Sequence, residues 1–131
     1  MATNCTISIR NPDNTFTSIY VHYDGNLEEA GEILKNHYTT VESIEALMSL
    51  GDLSSLAESP ELPEGHSFDN RIKGHCVPYS LRDEESPAIV YENEGEFMPD
   101  TMFHPFNYLF EDGVWKYRLE TEDSNLPYEI F

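Results

Sequence analysis

The segment from Ser18 to Leu56 constrains the fold more than any other, because it reads in one pass as strand, tight turn, helix, tight turn, helix and stop. Ile19, Val21 and Tyr23 alternate with Ser18, Tyr20 and His22, the period of a half-buried strand, and Asp24-Gly25 supplies turn chemistry at its end. Asn26 is placed to cap a helix, with Glu29 completing a capping box. Leu27, Ala30, Leu34 and Tyr38 then recur at helical spacing, and Glu28, Glu29, Glu32 and Lys35 take the opposite side. A second box, Thr39 with Glu42, opens another helix. Its stripe is Val41, Ile44, Leu47 and Met48, and Gly51 is its expected terminator.

Upstream, Cys5, Ile7 and Ile9 alternate within CTISIR, and Asn11-Pro12-Asp13-Asn14 separates that run from the next, which predicts a hairpin over 5–23. Near the other end, 106–110 and 114–119 flank Glu111-Asp112-Gly113 and predict a hairpin over 106–119. Between them, prolines and glycines break 54–87 into an irregular connection, with short strands expected near 75–81 and 88–93. The tail, 120–131, is acidic, and its last apolar residues are expected to dock on the body. The reading is one α+β domain over 1–131: an antiparallel sheet built from the two hairpins, with the helical pair of 27–50 packed on one face.

Charge decides which functions such a domain can serve. Acidic residues number 25 against 7 basic, a formal net charge of −18. A field of that sign repels a phosphate backbone, so direct nucleic-acid binding is not expected. Aromatic content of 12% argues against disorder. Two cysteines, Cys5 and Cys76, do not make a disulfide framework, and no apolar run approaches the roughly 20 residues of a membrane span. A folded, anionic protein of the cytoplasm is expected, with no membrane attachment and an oligomeric state left open.

The strings Tyr20-Val21-His22-Tyr23-Asp24-Gly25, Gly31 and Leu34 with His37-Tyr38, Leu50-Gly51-Asp52-Leu53-Ser54-Ser55-Leu56, and 108–117 carry a resemblance. Over about residues 3–119 the chain resembles a family of small uncharacterised bacteriophage and prophage proteins, in which Trp stands where this chain has Tyr23. The resemblance implies a phage-encoded accessory protein acting in a bacterial cytoplasm, and it brings no catalytic residues.

Two chemical constellations stand out. His22 and Asp24 share one side of a strand, and His37 on the next helix would complete a polar or metal cluster, which makes a small enzyme the alternative function. A strand-end Asp forming its turn beside locally bonded histidines explains the same residues. His66, His75 and His104 lack zinc-site spacing, Cys76 and Ser54-Ser55 lack a nucleophile's context, and no nucleotide or cluster motif occurs, so no metal or other cofactor is expected.

The acidic groups carry the other reading. Glu92, Glu94 and Glu96 would lie about 7 Å apart on one side of an extended segment. Asp83, Glu84 and Glu85 precede them, and Glu28, Glu29 and Glu32 form a third group. A compact domain of this length is about 36 Å across, and duplex DNA of that length bears roughly 21 phosphate charges. The expected function is stoichiometric binding to a host protein with a basic or nucleic-acid-binding surface, such as a restriction or CRISPR defence component inhibited by DNA mimicry. Binding to another phage protein is a further alternative.

Overall fold

The computed structural model describes residues 3–93, 95–97, 104–119 and 129–130. Strands β1 (Cys5–Arg10) and β2 (Phe16–Tyr23) form the first hairpin, in register from Cys5 opposite Val21 to Arg10 opposite Phe16. In its turn, Asn14 takes a left-handed φ of 68°, and Asp13 accepts from the Thr15 amide and hydroxyl. The second hairpin pairs β6 (Phe106–Glu111) with β7 (Val114–Leu119), and Asp112 and Gly113 at positive φ close it as expected of a two-residue turn.

The sheet is mixed, which corrects the expected antiparallel arrangement. Its path is β4-β3-β2-β1-β6-β7-β8, where β3 is Leu53–Ser55, β4 Val77–Pro78 and β8 Glu129–Ile130, while β5 (Ile89–Tyr91) pairs separately with β2. β1 runs parallel to β6 and β2 parallel to β3. The hairpins meet through their first strands, and each entry from the same end of the molecule makes that contact parallel. The expected irregular connection, 54–87, thus holds the end of β3, all of β4 and a 3-10 turn, Tyr79–Arg82. Of the tail, only β8 lies within the described residues; Ile130 is exposed there, opposite Lys116.

One face of the sheet carries the main core. Cys5, Ile7, Ile9, Ile19, Val21, Tyr108, Phe110 and Trp115 project onto it and meet the helical stripe Ala30, Leu34, Tyr38, Ile44, Leu47 and Met48. The first helix begins with a π-helical turn, Leu27–Gly31, and continues as α1 (Glu32–His37). Its capping box is not formed: Asn26 accepts from the Glu29 and Gly31 amides through its backbone carbonyl, and the Asp24 carbonyl takes the Ala30 amide. Helix α2 (Val41–Met48) does have a box, one residue later than expected, between Thr40 and Ser43. Val41, in its first turn, stays 46% exposed and outside the buried stripe. Gly51 ends the helix at a φ of 75°, as its position suggested.

Two buried hydrogen bonds lock the layers. Trp115 Nε1 donates to the Tyr38 carbonyl at 2.8 Å, and the Tyr108 hydroxyl donates to the Gly25 carbonyl at 2.7 Å. The opposite face is polar even where covered. Thr6 donates to Asn107 at 2.7 Å and Ser8 to Ser18 at 2.8 Å, beside a small apolar cluster of Phe16, Phe97, Leu109 and Tyr91.

Candidate functional site

Strand β2 has an outer edge shared by two short partners, and the junction between them creates a polar site among the described residues. β5 pairs with Phe16 to Ser18 and β3 with Val21 to Tyr23, so the Tyr20 amide between them meets no strand. The Asp52 carboxylate takes that place: Oδ1 accepts from the Tyr20 amide at 2.8 Å, and Oδ2 accepts from the Ser86 hydroxyl. Backbone bonds tie the walls together, from the Asp52 amide to the Ser86 carbonyl, from Tyr79 to Asp52 and from Glu84 to Tyr79. Gly51 is needed here, since a Cβ on it would overlap the Ser86 carbonyl. Asp83, at a φ of 60°, turns the chain from the 3-10 turn into this wall.

The resulting cavity, about 540 Å³, is lined by Tyr20, Tyr79 and Ser86 and by the charged groups of Asp52, Arg82, Glu84 and Glu85. Arg82 bonds Glu84 at 3.1 Å and lies over the rings of Phe68 and Tyr79, 4.6 and 5.1 Å from their centroids. Burial pushes the Tyr20 and Tyr79 phenols above their ordinary range, and neighbouring anionic groups push Tyr20 the same way, so both stay neutral donors near pH 7. A smaller cavity of about 90 Å³ adjoins Tyr20 and Asp52 on the side of Thr6 and His104. The Tyr20 hydroxyl bonds His22 Nδ1 at 2.8 Å, and the Tyr20 ring sits 5.4 Å from that of His104, whose Nδ1 bonds Asn4.

His22, Asp24 and His37 are not brought together. His22 shares the polar sheet face with Tyr20, whereas α1 packs on the face bearing Ile19 and Val21, so the sheet separates His22 from His37. Asp24 adopts a left-handed φ of 57° in the turn, beyond the end of the strand. Among the described residues no group of three His, Cys, Asp or Glu is arranged to hold a metal ion. His66 is spent on structure, bonding the Cys76 carbonyl through Nε2 and the Ile72 amide through Nδ1.

The acidic groups separate into distinct places. Glu28, Glu29 and Glu32 lie exposed on the outer side of the first helix, and Glu42 and Glu45 of α2 extend that layer, so five glutamates face outward against one lysine, Lys35. Glu84 and Glu85 belong instead to the cavity wall, and Asp83 caps the 3-10 turn that leads into it. The expected row of Glu92, Glu94 and Glu96 is not extended: β5 stops at Tyr91, and 95–97 turn helically, with Glu96 Oε2 accepting from the Glu92 amide and the Glu96 amide donating to Asn93. Glu94 lies outside the described residues. Ion pairs engage Glu84 with Arg82, Glu111 with Arg10 and Lys116, and Asp112 with Lys116.

Sequence reading missed Tyr20, Asp52, Tyr79, Arg82 and Ser86 as a group, because they come from three segments whose meeting depends on strand pairing. Only Asp52, next to the helix-ending glycine, carried any local signal. No helix among the described residues is long and apolar enough to cross a membrane. No protein family, curated protein or solved structure matches the chain.

Proposed function

We propose that this is a phage-type protein that acts by stoichiometric binding, occupying the basic, nucleic-acid-binding surface of a host defence protein. The observation that supports it is the outward layer of Glu28, Glu29, Glu32, Glu42 and Glu45, five exposed carboxylates on two packed helices, which faces away from the sheet bearing Arg10 and Lys116. Carboxylates carried on packed helices present a negative field from a backbone that is already ordered before binding. The phage-protein resemblance of 20–25 and 50–56 supports the same biological setting.

Capture from bacterial lysate on the immobilised protein tests the reading. A basic nucleic-acid-binding protein should be retained at low salt, released as salt rises, and displaced by competing duplex DNA. Retention that ignores both salt and DNA would overturn it.

A further inference from the structure

We infer that the cavity between Tyr20 and Tyr79 is an anchor pocket for a single arginine side chain of the basic partner. The inference rests on the basic-partner reading for its biology, while the pocket's chemistry stands apart from it.

Three features fit a guanidinium. The cavity's charged lining, Asp52, Glu84 and Glu85 against Arg82, sums to a formal −2, so a cation is favoured and a phosphate or carboxylate is not. Asp52 is held by the Tyr20 amide and the Ser86 hydroxyl, one bond to each oxygen, which leaves acceptor capacity on both for a forked donor. The walls include two phenol rings, and planar guanidinium stacks on such rings where ammonium does not.

The protein itself displays the mode of binding. Arg82 lies against Phe68 and Tyr79 with Glu84 at 3.1 Å, an arginine between aromatic surface and carboxylate on the rim of the same cavity. Glu85 and Asp52 line the same cavity and are the carboxylates there that Arg82 does not pair. The cavity is an open cleft of about 540 Å³ that a partner's side chain can enter from solvent, and arginine is a frequent energetic anchor of protein interfaces.

Titration of the isotope-labelled full chain with N-acetyl-arginine amide, followed by amide chemical shifts, tests the pocket without any partner. Saturable shifts are expected at Tyr20, Asp52 and Ser86, with weaker binding by the lysine amide and none by the neutral citrulline amide. Glu85→Gln, at an exposed rim position, should weaken binding about two- to fivefold, whereas Glu29→Gln on the helical layer should leave it unchanged. Equal binding of citrulline or lysine amide, shifts spread over all acidic segments, or an unaltered Glu85→Gln affinity would overturn the pocket. Lysate capture separates the two ideas. A basic partner held undiminished by Glu85→Gln sinks the anchor alone, and a saturable pocket with no basic partner captured sinks only the biological reading.

Discussion

Gly25 shows how much a single residue can decide in this chain. The turn after β2 lies so close to the start of β1 that a Cβ on Gly25 would stand 2.7 Å from the Asn4 carbonyl carbon and from Cys5 Cβ. Its amide bonds the Thr3 carbonyl and its own carbonyl accepts from the buried Tyr108 hydroxyl, so the turn joins β1, β2 and β6 at one point. Because the obstructing atoms are backbone and a Cβ fixed directly to it, they cannot move aside as a side-chain tip would. Gly25→Ala should therefore cost about 1 to 3 kcal/mol, the usual penalty for forcing volume into a packed site. Chemical denaturation of the two proteins measures it, and a loss under about half a kcal/mol, the scatter of ordinary surface changes, would show that the turn can relax.

Elements were legible where one segment contains its own signal. Leu34, Ile44 and Leu47 are fully buried as their spacing required, and Asp112-Gly113 closes the hairpin that its dipeptide announced. The cap at Thr40 was misplaced by one residue because Thr39 and Thr40 stand side by side and Ser43 serves as well as Glu42 in the box. Sheet order was hidden for a different reason. β1 pairs β6 across about a hundred residues, and alternation states which face a strand buries but not which neighbour it takes or in which direction. The polar cavity inherits that opacity, since it exists only where β3 and β5 divide the edge of β2. The same junction of hairpins carries a charged cluster with a testable pH signature. Burial pushes the Glu111 carboxyl up, but its bonds to Lys116 at 2.8 Å and Arg10 at 3.2 Å outweigh that and hold it below its ordinary value of 4.5. A depressed folded pKa contributes stability that is present above pH 4.5 and is lost as pH falls through the lower value. Glu111→Gln should thus destabilise the protein at pH 6 to 7 and lose less on further acidification than the parent does. Parallel acid limbs for the two proteins would show that the cluster does not couple to folding.

At the scale of the whole molecule the question is whether −18 acts as a directed field or only as a soluble surface. The fold gives the charge a direction: both helices pack by one stripe on the same sheet face, so their glutamates are forced outward together. Association with a basic partner should then be steered, with an on-rate that falls steeply as salt shortens the screening length to about 8 Å at physiological strength. Net charge alone would produce some of that dependence, so the deciding comparison holds net charge fixed. Glu28, Glu29 and Glu32 changed together to Lys should slow association with the captured partner far more than Glu58, Glu64 and Asp69 changed together to Lys, all six being exposed. Both triple variants should fold as well as the parent or better, because each relieves repulsion in an anionic chain, and circular dichroism with denaturation checks this first. Equal slowing by the two sets would mean that only total charge matters. Full retention of rate by the helical set would remove the helical layer from the interface.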